Sequence, residues 1–373
     1  MIFTVYSSTI YSSLVAISRV IAPKPVFPIL SNFLFNIESG KLVVTAADND
    51  TTLEAIVEIT DSDKDGQIAL PAKTLLDALK EIPDQPLTFN INESSYETTI
   101  TYMNGEYCLV GNNADEYPTP AVLQESVSFE LQSDLLLDGL SKSLFATAED
   151  ELRPVMNGIL CEVSSEGATF VASDGHKLVC YKNTQAQISE RASFILPKKP
   201  ASLIKSLLSK ESNQVTIEFD SRVVRFNLTD FRMVCRHIDG RYPNYNSVIP
   251  KNNPHSLTID RLTMLNALRR ISIFSPASTG LLKIRIQQDQ LTAYAQDNDF
   301  STSAKETLPC QYDGPAMSIG FKSSFLIDIF SNIQSQEITF KVADPARATL
   351  FVPTIQTEDT DLVMLLMPMV LND

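Results

Sequence analysis

The sequence predicts an α+β fold made of three copies of one unit, each with two helices backed by antiparallel sheet. Three short signatures recurring at one period carry that expectation. Leu42-Val43-Val44-Thr45-Ala46-Ala47-Asp48 returns as Thr169-Phe170-Val171-Ala172-Ser173-Asp174 and as Leu291-Thr292-Ala293-Tyr294-Ala295-Gln296-Asp297, its aspartates 126 and 123 residues apart. Leu70-Pro71-Ala72-Lys73, Leu196-Pro197-Lys198-Lys199 and Ile319-Gly320-Phe321-Lys322 keep the same 126 and 123. Tyr117-Pro118, Tyr242-Pro243 and Met367-Pro368 set their prolines 125 and 125 apart. Three landmarks sharing one spacing argue against accident, and 373 residues divide into domains at 1-124, 125-252 and 253-373.

Each copy opens with a short alternating strand: Phe3-Thr4-Val5, Val127–Leu131 and Ser256–Ile259. Helix-period stretches follow at 7–20, 133–147 and 260–274, where Leu262, Leu265, Leu268 and Ile271 mark an apolar face in the third. Paired strands with a turn come next, as in Phe33–Ile37, Glu38-Ser39-Gly40 and Lys41–Val44. A second helix is expected after each Leu-Pro or its equivalent, at Lys73–Ile82, Lys199–Lys210 and Lys322–Ile333. Further strands such as Gln214–Phe219 and Val223–Phe226 close the unit, giving α+β domains. Residues 122–126 and the run Pro250-Lys251-Asn252-Asn253-Pro254 read as linkers.

Five scattered cysteines (Cys108, Cys161, Cys180, Cys235, Cys310) include no CxxC pair, so neither a disulfide framework nor a zinc site is expected. The start lacks the pattern of a signal peptide and no apolar run reaches membrane-span length, which points to a cytoplasmic protein. GxGxxG, Walker-type and GxSxG motifs are missing, and three histidines (His176, His237, His255) are too dispersed for an obvious metal site. No cofactor or metal is expected. Asp174-Gly175-His176 invites a general-base reading, as in a hydrolase or lyase. Asp48 and Asp297 recur at the same position without a histidine, however, and a repeated turn is the simpler account.

A net charge of −15 argues at first against nucleic acid. The charge is unevenly placed. The six helix windows together carry +6, with +4 in residues 197–210 alone, so the remaining strands and loops are strongly acidic.

Several segments, taken in order, resemble the bacterial DNA sliding clamp family, the beta subunit of DNA polymerase III. They are Pro28-Ile29-Leu30-Ser31-Asn32, Asn157-Gly158, Val171–Leu178, Asp239-Gly240-Arg241-Tyr242-Pro243-Asn244-Tyr245, Val248-Ile249-Pro250 and Met367-Pro368-Met369. The resemblance spans the whole chain. It implies a head-to-tail homodimer of six domains closed around duplex DNA, with helices lining the hole and sheets outside. Such a ring holds DNA topologically and acts as a processivity factor rather than an enzyme. Its implied partners are the clamp loader and the replicative and repair DNA polymerases. A clamp paralogue serving as a scaffold without encircling DNA is the other reading in this family.

Carried over by position, the resemblance implies a partner-peptide groove at Met156, Ser173, Gly175, His176, Lys177, Leu178, Pro243, Ser247, Val248, Leu366, Met367, Pro368 and Met369. Methionine walls suit a groove that repacks around different peptides. Ser247 departs from family members with arginine there, and Asn372-Asp373 extend past the usual end, where they would shade the groove. Lys24 and Arg153 match basic DNA-contacting positions, although Pro154-Val155 replaces the aromatic pair that often follows. With the helix bases Arg19, Lys73, Lys80, Lys142, Lys198, Lys199, Lys205, Arg269, Arg270 and Lys322 they form the expected DNA-facing set. Tyr107 and Leu109 are expected to meet Ile273 and Phe274 of the other subunit.

Overall fold

Alternation of apolar and polar side chains builds nearly one element order three times, the second copy lacking the short strand that the first and third carry. The computed structural model describes residues 1–189, 191–297 and 299–371. Its first copy holds β1 (Ile2–Tyr6), α1 (Ser7–Ser18), β2 (Asn32–Glu38), β3 (Lys41–Ala47), β4 (Thr51–Val57) and β5 (Asp61–Ser62). It closes with β6 (Gly66–Pro71), α2 (Ala72–Lys80), β7 (Pro86–Ile91), β8 (Glu97–Tyr102) and β9 (Gly105–Val110). The second begins with β10 (Val127–Gln132), α3 (Ser133–Ser143), β11 (Gly158–Ser164), β12 (Gly167–Ser173) and β13 (Lys177–Asn183). β14 (Ala192–Pro197), α4 (Lys198–Leu208), β15 (Gln214–Phe219), β16 (Val223–Asn227) and β17 (Phe231–Arg236) complete it. The third holds β18 (His255–Asp260), α5 (Arg261–Ser272), β19 (Leu281–Gln287), β20 (Gln290–Asp297), β21 (Thr302–Pro309) and β22 (Gln311–Tyr312). β23 (Met317–Lys322), α6 (Ser323–Asn332), β24 (Glu337–Val342), β25 (Thr349–Pro353) and β26 (Thr360–Leu366) follow.

Two sheets run across copies. One has the order β10-β15-β16-β17-β4-β3-β2-β6, joining the second copy to the first through β17 and β4. The other has the order β14-β11-β12-β13-β26-β25-β24-β18-β22, joining second to third through β13 and β26. The two remaining sheets, β5-β1-β7-β8-β9 and β21-β20-β19-β23, end on β9 and β21. Contacts group the chain into two compact units, Met1–Asp134 with Ser202–His237 and Leu135–Ala201 with Ile238–Asp373, and each contains one of the joints.

Aromatic clusters pack beneath the sheets of the first and third copies. Phe3 and Phe89 stack at 4.7 Å with Phe35 6.1 Å from Phe89, while Phe340 lies 4.6 Å from Phe351 and 5.6 Å from Phe330. The repeated aspartates do one job. Oδ1 of Asp48 accepts from the N–H groups of Asp50 and Thr51, that of Asp174 from His176 and Lys177, and that of Asp297 from Asp299 and Phe300. A second series does the same in the later hairpin of each copy: Asn92 to Ser94 and Ser95, Asp220 to Arg222 and Val223, Asp344 to Ala346 and Arg347.

Three expectations need correction. Leu262 is 55% exposed, and α5 buries Met264, Leu265, Ala267, Leu268 and Ile271 instead. Steps of three drift around a 3.6-residue helix, so Leu262 and Ile271 fall on opposite sides. The third-copy landmark is displaced by two residues: Lys322 takes the N-cap place of Pro71 and Pro197, and Phe321 takes that of Leu70 and Leu196. Both sets pair alike, Phe33 with Leu70, Ile159 with Leu196 and Leu282 with Phe321. The stretch 133–147 is α-helical only to Ser143, and Leu144–Ala146 tightens into a 3-10 turn. The pair Asn372-Asp373, expected to shade the groove, lies outside the described residues.

Gly139 in α3 tests this packing, since a Cβ there would come within 2.3 Å of the Phe170 ring. Gly139→Ala should lower stability by about 1–3 kcal/mol through overpacking, although alanine is the better helix former by about 1 kcal/mol. An unchanged or raised urea-unfolding midpoint would contradict it.

Candidate partner groove and basic helices

Part of the expected groove set lies where β13 meets β26. Lys177 pairs with Leu366 and Leu178 with Leu365, and the Met367 N–H donates to the His176 carbonyl at 2.8 Å just beyond the strand end. Successive strand residues face opposite ways. The apolar floor therefore contains Leu178 and Leu365, with Leu160, Val171, Ile195 and Tyr242, and half-buried Val155, Cys180, Tyr245, Ile249 and Val363 pack against it. Leu366, expected in the groove, is fully buried on the other face, and Leu365 takes its place. Met367 (44% exposed), Val248 (55%) and the exposed His176, Pro243 and Ser247 lie at the surface.

Other expected residues serve the frame. The Ser173 hydroxyl donates to the Lys177 carbonyl at 2.8 Å and accepts from the Gly175 N–H at 3.1 Å. Gly175 has a φ of 90°, so the backbone favours glycine there, and the Arg153 guanidinium, at the end of an exposed side chain, lies 2.7 Å from where a Cβ would sit. Met156 is buried at the end of the 3-10 turn Pro154–Met156, while its neighbour Val155 reaches the floor. Met369 is not part of that floor. Its N–H donates to Gly320 at 2.7 Å, and with Pro368, Val370 and Leu371 it lines a cleft of about 430 Å³ beside β23.

Lys177 is a buried and closely held cation. Its ammonium lies 2.7 Å from Oδ2 of Asp174 and 4.2 Å from the centre of the Phe325 ring. Phe325 also has the Lys322 ammonium at 4.8 Å and the His176 ring at 6.0 Å. Periodicity places Phe325 on α6 but carries no sign of this role, so sequence reasoning missed it. Burial alone would raise the Asp174 carboxyl. Hydrogen bonds from the Lys177 ammonium and from the Lys177 and His176 N–H groups outweigh burial and hold it below its ordinary 3.8. Asp328 is shifted up, chiefly by burial, with Asp174 adding to the rise and Lys177 opposing it. Both Asp174 oxygens are thus committed to a turn and a lysine, which is the geometry of a structural turn rather than of a base-orienting carboxylate.

The expected DNA-facing bases fall into two groups. Lys142 pairs with Asp138 and lies 4.4 Å over the Tyr181 ring. Arg153 donates to Asp150 at 2.8 Å and to the Asp174 carbonyl at 3.3 Å, Lys198 meets Glu149 at 2.6 Å, and Arg270 forks onto Glu306 at 2.8 and 2.6 Å. Arg19, Lys24, Lys73, Lys80, Lys199, Arg269 and Lys322 are exposed and Lys205 is half-buried. Of the expected interface residues, Tyr107 and Leu109 are half-buried on the terminal strand β9, and Ile273 (78% exposed) and Phe274 follow α5. Among the described residues no acidic, histidine or cysteine cluster could hold a metal ion, and no helix is long and apolar enough to cross a membrane.

Asp174→Asn keeps an acceptor for the turn but strands the Lys177 ammonium, and should cost about 3 kcal/mol at neutral pH. Because the folded-state value is depressed, the carboxylate's contribution is complete above pH 3.8 and is lost as pH falls through the lower folded value. The wild-type advantage over Asp174→Asn should therefore vanish on acidification in unfolding measurements. An advantage that is constant with pH would contradict the ion pair.

Family models for the DNA polymerase III beta subunit match along the chain: the N-terminal domain over residues 1–121, the central domain over 130–244 and the C-terminal domain over 246–370. The Pseudomonas aeruginosa beta sliding clamp is 26% identical over 368 residues, covering 98% of this chain and 99% of the relative. The Synechococcus elongatus beta sliding clamp is 27% identical, covering 95% and 96%. The solved DNA polymerase III subunit beta of P. aeruginosa superposes over 100% of both chains with a TM-score of 0.92 at 25% identity. A Bartonella birtlesii sliding clamp bound to griselimycin does so with a TM-score of 0.91 at 27% identity, again over 100% of both. The chain belongs to the DNA polymerase III beta subunit family, the bacterial sliding clamps.

Proposed function

We propose that two copies of this chain close head to tail into a six-domain ring around duplex DNA, and that the ring tethers polymerases without catalysing a reaction. The observation that carries this reading is the pairing of copies edge to edge: the chain makes that joint twice and leaves β9 and β21, the strands that would form a third, at sheet ends. In a second copy the complementary edge satisfies each. The three domains would be 1-124, 125-252 and 253-373, and the protein would act in the cytoplasm.

Exposed Arg19, Lys73, Lys80, Lys199 and Arg269 on the helices or at their ends, with Lys24 on its loop, supply a modest positive lining. A ring held by topology needs no strong phosphate grip, and a weak one lets it slide. Neutralisation of Lys142, Arg153, Lys198 and Arg270 by acidic neighbours fits that demand. The groove over Leu178 and Leu365 would take partner peptides from the clamp loader and from replicative and repair polymerases, one partner per subunit at a time.

Loaded onto nicked circular DNA by a bacterial clamp loader, the protein should stay bound through gel filtration and be released when the circle is cut once. Release that does not depend on cutting would contradict encirclement. Griselimycin, present in the Bartonella clamp structure, serves as a groove probe. Met367→Ala with Val248→Ala should weaken its binding by about tenfold or more while leaving ring assembly unchanged. Equal affinity would contradict the groove assignment.

A further inference from the structure

The two joints inside the chain share one register, and that register specifies the third. In the first joint Leu53 lies opposite Met233, Glu54 opposite Arg232 and Thr52 opposite Val234. In the second Val179 lies opposite Met364, Cys180 opposite Val363 and Leu178 opposite Leu365. The hairpins match residue for residue: Ala46 faces Leu53, Ala172 faces Val179 and Ala295 faces Ala304. On the other arm Ile100 faces Tyr107, Phe226 faces Met233 and Phe351 faces Met364. Ala304 is thus the counterpart of Leu53 and Val179, and Tyr107 the counterpart of Met233 and Met364.

From this symmetry we infer that β21 of one copy pairs antiparallel with β9 of a second, Ala304 facing the partner's Tyr107, Lys305 facing the partner's Glu106 and Ser303 facing the partner's Cys108. The inference rests on the head-to-tail closure proposed above and adds its register and its charge pair. Three features support it. First, Lys305 and Glu106 are both exposed, and their counterparts in the first joint, Glu54 and Arg232, form an ion pair at 3.2 Å with the opposite polarity. Opposite charges placed directly across two strands attract, and like charges repel. Second, small Ala304 stands where Leu53 and Val179 stand, leaving room for the larger Tyr107 ring. Third, Glu306 occupies the place of buried Ala55 and Tyr181 and is held by the Arg270 fork. An inward charge is a known guard against wrong pairing on an edge strand, and the residue it would face across the joint is Gly105, which has no side chain to clash with it.

The pair also distinguishes the joints. Their outer faces read Glu54–Arg232, Cys180–Val363 and Lys305–Glu106, so a β21 edge meeting another β21 edge near this register would bring lysines together.

Native Cys108 makes the register testable with one substitution. Ser303→Cys, oxidised with diamide at a concentration where the protein sediments as a dimer, should form a disulfide between the introduced thiol and the partner's Cys108, since facing strand residues lie within disulfide reach. Lys305→Cys, opposite Cys108 only if the strands slip by two residues, should cross-link far more slowly. Faster cross-linking of Lys305→Cys would overturn the register while leaving the dimer standing. A monomer at tens of micromolar before oxidation would overturn both closure and register. Glu106→Lys and Lys305→Glu should each weaken dimerisation by about tenfold, and together restore it to within about threefold of wild type. Additive weakening in the double variant would refute the charge pair.

Discussion

Antiparallel main-chain pairing between copies is the constraint on which this protein depends. An unpaired strand edge exposes a row of N–H and C=O groups and invites association. Here β17 satisfies the edge of β4, and β26 that of β13, so each copy continues its neighbour's sheet. The pairing needs no particular side chain, which lets the two joints within the chain share a register while their surfaces diverge. The edges left over at β9 and β21 then follow from the count of copies in one chain rather than from a dedicated interface element.

That divergence accounts for where the proposed groove lies. On the outer face of the first joint the facing residues include Thr52 and Glu54 with Arg232, a polar and ion-paired surface. At the same places the second joint carries Leu178 and Cys180 with Leu365 and Val363, which extend into the apolar cluster holding Tyr242 and Ile195. An apolar floor at an inter-copy seam suits the peptide groove proposed above, whose other expected residues Met367 and Val248 are exposed. The half-buried Cys180 thiol against this floor has its value pushed up to about 12, mainly by desolvation, which disfavours the reactive thiolate.

Much of this was legible in the sequence because repetition averages over local ambiguity. One aspartate before a turn is weak evidence, whereas Asp48, Asp174 and Asp297 at one spacing reveal a shared hairpin, and all three make the same turn. The matching series at Asn92, Asp220 and Asp344 went unnoticed since asparagine replaces aspartate in one copy and the spacing wanders to 128 and 124. Resemblance brought Leu366 into the groove where strand alternation selects Leu365, because identity by position does not say which way a side chain points. Phe325 and the acids holding Lys142, Lys198 and Arg270 were out of reach, since those contacts join segments distant in sequence or depend on rotamers. A net helix charge counts such bases as free when the fold has already matched several of them.

The central claim, that repetition of one joint closes two chains into a ring, is tested most directly by electron microscopy of the purified protein near micromolar concentration. The account predicts closed rings with a six-lobed outline and a central hole wide enough for duplex DNA. Compact particles without a hole would contradict it.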